Sequence, residues 1–311
     1  MKRLAAAGVA GAGALLLNKA LIDRETKPPE PDGGFVLEPS RGNLHVLEEG
    51  PENAPALVLV HCLAGSMRWF DRLAPLLTND WRVIRVDLLG HGGSPCPPDG
   101  YELENQARLV LGALDGLGVE RAVIVGHSMG GAVGVALAEQ RPELVRALVV
   151  MDEGPDNSFA QMPLLAKLGF VPVVGELIHR VVADRMVRDG YDDVFAKGFD
   201  LAAGFPDVVR DFRRMTYSSY KGSADAEDRF LDAGRLDERL RRLEIPTLVM
   251  FGEEDRIFRP HDSARAFESL GGVRVEMLAG VGHSPPAEAP DRVAALIRGH
   301  VEALAPLDVP G

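Results

Sequence analysis

Val123-Ile124-Val125-Gly126-His127-Ser128-Met129-Gly130-Gly131 is the stretch whose reading decides the fold. Up to Gly126 it is a short β-branched run, and beyond Gly131 an Ala/Val/Leu-rich segment with helical spacing continues to Gln140. The pattern predicts a strand that turns sharply into a helix, with Ser128 at the corner. Gly126 and Gly130 fit that corner because side chains there would collide as strand and helix cross. The turn holds Ser128 in a strained backbone conformation and puts its hydroxyl at the open end of the sheet. The helix N-terminus beneath it favours developing negative charge. The competing reading is a Gly-rich turn with an incidental Ser.

The 311 residues are enough for one large α/β domain with an inserted segment. A formal net charge of -12, with no extended basic block, argues against nucleic acid as a partner. Only Cys62 and Cys96 are cysteines, too few for a disulfide scaffold or a zinc cluster, and both thiols are expected to be free.

Met1-Lys2-Arg3 precedes an apolar run from Leu4 to Leu17. That layout predicts a signal peptide or, since no convincing small-residue cleavage site follows, an uncleaved signal anchor with its basic end cytoplasmic. The expectation is therefore membrane attachment or export, with a soluble amphipathic or disordered extension on a cytoplasmic protein as the competing reading. Lys27-Pro28-Pro29-Glu30-Pro31 lies in a stiff, solvated linker that completes segment 1–34.

Working outward, Leu57–Val60, Arg82–Val86, Ala147–Met151, Thr247–Phe251 and Val273–Leu278 read as strands, with Phe35–Leu37 and Leu44–Leu47 at an edge. Trp69–Leu77, Glu102–Leu117, Leu236–Leu243, His261–Leu270 and Asp291–Leu304 carry helical spacing. From Gly154 to about Phe230 the alternation stops. Helical pieces are expected near Met162–Leu168, Gly175–Val187, Asp192–Phe199 and Asp207–Tyr220.

The Gly126–Gly130 corner resembles the nucleophile elbow of the α/β-hydrolase superfamily, and the likeness extends from about Asn43 to about Leu304. It implies a mostly parallel central sheet flanked by helices. The core would comprise residues 35–153 and 231–311, and residues 154–230 would form an inserted helical cap. Met162, Leu165, Phe170, Phe195, Phe199 and Met215 are then candidates for the pocket wall, or for the cap's own small core.

His61-Cys62-Leu63-Ala64-Gly65 resembles the family's H-G-x-G-G loop. The resemblance makes the backbone N–H groups of Leu63 and Met129 the oxyanion donors. Cys62 stands where the family has Gly; as a nucleophile it is the weaker alternative to Ser128. His61, Asp87 and His91 read as loop-bracing residues. Gly252-Glu253-Glu254-Asp255 resembles the acid loop, and Gly280-Val281-Gly282-His283 the histidine loop.

A Ser hydroxyl needs a base within reach, and the base needs an anion to fix its tautomer and stabilise its cation. Ser128, Asp255 and His283 occur in the superfamily's order, each after a predicted strand, with Asp152 as the alternative acid. A Ser at the corner implies acyl chemistry on a small-molecule ester or related acyl substrate, through an acyl-enzyme and with no metal or organic cofactor. Other Ser-triad reactions (C–C bond hydrolysis, perhydrolysis, acyl transfer) and a non-catalytic binding protein on the same fold remain open.

Overall fold

The computed structural model describes residues 34–37, 43–161, 166–171, 173–205 and 208–304. Segment 1–33, which holds the expected anchor and most of the linker, lies outside the described residues, as do Met162 and Leu165. Among the described residues no helix is long and apolar enough to cross a membrane.

The strands are β1 (Phe35–Val36), β2 (His45–Glu49), β3 (Ala56–Val60), β4 (Arg82–Val86), β5 (Ala122–His127), β6 (Val145–Met151), β7 (Thr247–Gly252) and β8 (Val273–Leu278). They form one sheet in the order β1-β2-β4-β3-β5-β6-β7-β8. β1 and β2 pair antiparallel at the edge, and every pairing from β4 to β8 is parallel. The helices that matter below are α1 (Leu103–Gly116), α2 (Met129–Gln140), α3 (Val174–Val181), α4 (Asp184–Tyr191), α5 (Val208–Arg214), α6 (Tyr217–Ala233), α7 (Leu236–Leu243), α8 (Pro260–Glu268) and α9 (Pro290–Glu302).

The continuous apolar strands follow from burial on both faces. In β3, Val58 and Val60 join the core shared with α1, α2 and α8, whereas Leu57 and Leu59 join the opposite core. There Phe70, Leu73 and Trp81 meet Val293, Ile297 and Val301 of α9. Helix α2 is buried on every side from Met129 to Ala138, so it needs no amphipathic stripe.

The segment between β6 and β7 is mostly helical, but its divisions differ from the expected ones. Gly175–Val187 is two helices, α3 and α4, separated at Val182-Ala183. Asp192–Phe199 is a run of turns rather than a helix: its Phe195 and Phe199 stack on one another at 4.7 Å instead of lining one helical face. Asp207–Tyr220 breaks at Thr216, whose hydroxyl caps Ser219 N and starts the 17-residue α6. Trp69–Leu77 likewise divides into a short 3-10 turn, Met67–Phe70, and one helical turn, Ala74–Leu77.

This helical segment is tied to the loops at the strand ends. Ser66 Oγ donates to Asp211 of α5 at 2.8 Å, and the Tyr191 hydroxyl donates to the Ala64 carbonyl at 3.0 Å. Ala196 N donates to Glu288 at 2.8 Å, and Arg256 donates to the Phe195 carbonyl at 2.8 Å. Phe195, Phe205, Leu201 and Val208 close around Trp69 in a small core of their own. Phe195 and Phe199 thus serve packing, and Met215 is buried apart from the cavity described below.

Two close backbone crossings position the strand ends. A Cβ on Gly126 would collide with the Gly130 carbonyl, and one on Gly130 would collide with the Val60 carbonyl. Gly130→Ala is therefore expected to lose about 1–3 kcal/mol or more in denaturant unfolding, because backbone cannot rotate away. An unchanged midpoint would contradict the crossing. Burial pushes the Asp211 carboxyl up to about 7, against the pull of the Ser66 hydrogen bond. A raised folded-state value means that Asp211 withdraws stability as pH climbs from the usual carboxylate range towards 7. Asp211→Asn is expected to melt higher than the parent at about pH 8 and to lose that advantage near pH 4, as read by thermal unfolding.

Candidate active site

Ser128 stands between β5 and α2 with φ +52° and ψ -127°, a left-handed conformation that a non-glycine residue adopts only under constraint. The constraint is the sheet: Ser128 N–H donates to the Met151 carbonyl at 2.7 Å, extending the β5–β6 ladder past the end of β5. Ser128 Oγ is presented to a cavity of about 260 Å³ that it shares with His283.

His283 follows β8 in a loop held from several sides. Its Nδ1 donates to Asp255 Oδ2 at 2.9 Å. Its carbonyl accepts from His127 Nε2 at 2.5 Å. Glu288 accepts from Gly282 N and Ser284 N, both at 3.1 Å, on either side of it. Gly252 allows the loop to close over β7, since a Cβ there would strike the Gly282 carbonyl. The structure thus brings Ser128, Asp255 and His283 to one edge of the sheet and closes the Asp255–His283 hydrogen bond. Ser128 and His283 line the same cavity without a hydrogen bond between their side chains, a looseness common before substrate binds.

Asp255 Oδ1 accepts from Ile257 N at 2.6 Å and Phe258 N at 3.1 Å. Burial alone would push this carboxyl up; His283 and the three hydrogen bonds outweigh it and leave it below its ordinary value. Asp152 was the alternative acid. It sits at the end of β6 with φ +48° and accepts from Gly252 N at 2.9 Å. Burial, then the neighbouring Asp255 charge, push it well above the carboxylate range, so it is neutral beside an ionised Asp255. Asp152, Asp255 and His283 offer atoms within 4.8 Å of one another. A neutral acid and an imidazole Nδ1 already donating to Asp255 make this a hydrogen-bond chain rather than a cation cage.

The loop after β3 is braced as the sequence predicts. His61 Nδ1 donates to the Cys62 carbonyl at 2.8 Å, and its Nε2 accepts from Leu88 N at 3.0 Å, which fixes a neutral tautomer. Asp87 accepts from Met67 N and Gly93 N, each at 2.7 Å, and from His45 at 2.7 Å. The Leu63 and Met129 N–H groups have no acceptor among the described residues. Cys62 and Cys96 are both free thiols. Burial pushes the Cys62 thiol far up, which removes the thiolate that a nucleophile requires.

The cavity wall is largely apolar and aromatic, with Phe170, Tyr191, Phe212, Tyr220, Ile257 and Phe258 in it. Glu227 and Asp228 of α6 supply its acidic end, and no Lys or Arg side chain lines it. Sequence reasoning missed Glu227. The missed signal was helical spacing: Ser223, Ala226, Phe230 and Leu231 form the buried stripe of α6, and Glu227 interrupts it. His127, which does not line the cavity, braces the His283 loop. Burial lowers it to about 3, so it donates from Nε2 as a neutral ring.

Comparison with known proteins agrees with this geometry. The family described as alpha/beta hydrolase fold matches residues 55–290. The chain is 31% identical over 252 residues to a 2-hydroxy-6-oxononadienedioate/2-hydroxy-6-oxononatrienedioate hydrolase of Paraburkholderia xenovorans, covering 77% of this chain and 84% of that protein. It is 29% identical over 255 residues to an uncharacterized hydrolase, YugF, of Bacillus subtilis, covering 76% and 86%. Among solved structures, an esterase from Exiguobacterium antarcticum superposes with a TM-score of 0.71 at 20% identity, covering 88% of this chain and all of the other. The eight-stranded sheet, its flanking helices and these matches lead to one conclusion: the chain belongs to the alpha/beta hydrolase fold family and is a hydrolase.

Proposed function

We propose that the protein is a serine hydrolase of carboxylic esters or closely related acyl substrates. The observation that carries this reading is the Asp255–His283 hydrogen bond opening onto the same cavity as the strained Ser128. His283, held in the Nδ1–H tautomer by Asp255, leaves Nε2 to accept the Ser128 proton. Ser128 Oγ attacks the acyl carbon, and the carbonyl electrons move onto oxygen. The Leu63 and Met129 N–H groups stabilise that oxyanion, each worth roughly 3 kcal/mol. When the tetrahedral species collapses, His283 protonates the departing alcohol and an acyl-Ser128 ester remains. Water, deprotonated by His283, then attacks that ester and releases the carboxylic acid, returning the proton to Ser128.

In this reading residues 154–230 serve as a cap. Tyr191, Phe212 and Tyr220 put apolar surface over the reacting serine, and Ser66, Ala64 and Glu288 hold the segment to the loops that carry the chemistry. The similarity to a dioate hydrolase favours a second reading, hydrolysis of an activated C–C bond by the same three residues. Against it, a dianionic substrate would meet Glu227 and Asp228 in a cavity with no lining cation. The Asp255–His283 hydrogen bond on the cavity of Ser128 weighs against a binding protein that has lost its chemistry.

Ser128→Ala or His283→Ala is expected to lower turnover of nitrophenyl esters by roughly 10⁴-fold or more. Asp255→Asn should cost at least about 10²-fold, and Asp152→Asn far less. A fluorophosphonate probe should label Ser128 in the parent and fail in the Ser128→Ala variant. Near-parental rates in either the Ser128 or the His283 variant would remove the mechanism. The Lys2-Arg3 start and the apolar run after it support membrane attachment through segment 1–34. Full-length protein recovered wholly in the soluble fraction with Met1 intact would overturn that assignment.

A further inference from the structure

The acidic end of the cavity has no part in acyl transfer, and its construction points to a ligand. Glu153, the second residue after β6, is fully buried. Its carboxyl meets that of Glu227, which reaches it from α6. Both oxygens of Glu153 and Oε1 of Glu227 are buried, and apart from the Gly154 N–H beside Glu153 the two carboxyls have each other as partners. Burial, then the Glu227 charge, push Glu153 well above the carboxylate range, so it is the member that keeps its proton. Burial also raises Glu227, to about 7, while the proton shared from Glu153 pulls it back. Glu227 is therefore the more acidic member of the pair, and it lines the cavity that holds Ser128 and His283.

No arginine or lysine pairs with Glu227, Asp228 or Glu153 among the described residues. Glu227 and Asp228 also line an adjoining space of about 470 Å³, whose wall adds Asp225 and Asp232. Lys221 pairs with Asp225, and Glu227, Asp228 and Asp232 keep the α6 side of this approach predominantly acidic. The same cavity carries an aromatic cluster: Phe170 and Tyr220, the latter about two turns before Glu227 on α6, stack at 5.1 Å, and Phe212 meets Tyr220 edge-on at 5.7 Å. Carboxylates backed by ring faces are the surroundings that favour an organic cation, which gains Coulomb attraction and cation–π contact together.

We infer that Glu227, supported by Glu153, forms a subsite for a positively charged amine or quaternary ammonium group of the substrate. The inference rests on the hydrolase reading and narrows it: the preferred esters carry a cation, and carboxylate-bearing esters are rejected. Glu227 acts by binding the distal end of the substrate, so its effect falls on KM more than on kcat.

The test uses the purified full chain and ester sets matched in shape: a trimethylammonium tail, its tert-butyl isostere and a carboxylate tail. Each set is made once with the tail in the acyl chain and once with it in the alcohol. In at least one set the trimethylammonium ester is expected to exceed its isostere about tenfold in kcat/KM, with the carboxylate ester at least about tenfold below it. Glu227→Gln should bring that ratio near one, mainly through KM, and Glu227→Asp should keep most of it. No cation preference in either set, with the tert-butyl esters turned over, would overturn the subsite and leave the hydrolase reading standing. A preference that survives undiminished in Glu227→Gln would overturn it as well. A readout independent of turnover is the fluorescence of Trp69, which lines the cavity. Titration with tetraethylammonium chloride should give a saturable change that Glu227→Gln weakens about tenfold. A flat titration would sink the subsite even in an active hydrolase, and a saturable one would keep it even if no ester were cleaved.

Discussion

The structure depends on backbone passing against backbone where no side chain can stand. At one crossing β5 leads into α2, and Gly126 and Gly130 let that helix start against the end of β3. At the other, Gly252 and the Gly282 carbonyl bring the loop after β8 over the end of β7. The first crossing forces Ser128 to positive φ; the second sets His283 beside Asp255. A parallel sheet supplies the frame, since β5, β6, β7 and β8 all end on the same side, where an open α/β fold has its crevice. The apolar runs fix which strands lie at the centre, but the glycines fix how closely their ends approach.

Burial alone would neutralise every acid near this crevice, and the differences among them come from their partners. Asp255 has two backbone N–H donors and an imidazole, and it stays ionised. Asp152 has one backbone donor and an anionic neighbour, and it holds its proton. Glu153 and Glu227 face each other and divide the roles between them. Hydrogen-bond count thereby separates Asp255 from Asp152, whereas Glu153 and Glu227 are separated by their contact with each other.

Much of this could be read from residues in order. The corner around Ser128, the loops of Asp255 and His283, and the central strands carry local signals: glycines at tight turns and apolar runs of strand length. β4 and β8 begin and end where the sequence predicts, at Arg82–Val86 and Val273–Leu278. The helical segment after β6 was less legible because its boundaries are set by tertiary contacts. Nothing local separates Asp192–Phe199 from a short helix; what unwinds it is Arg256 on the Phe195 carbonyl and Glu288 on the Ala196 N–H. Glu227 escaped notice because a carboxylate on a helix is ordinarily solvated, and its partner Glu153 lies 74 positions away on another element. The role of His127 was not legible either: its partner is a main-chain carbonyl, to which no sequence pattern points.

That last hydrogen bond has a mechanical meaning. His127 precedes Ser128 directly, and its ring grips the peptide of His283, so the two loops are fastened to one strut. Thermal motion that tilts one loop carries the other with it, and their spacing is insulated from rearrangement of the helices overhead. The roof can then be remodelled by insertion, deletion or substitution without retuning the parts beneath. A scaffold wired in this way allows selectivity to drift across homologues while the reacting centre stays in calibration.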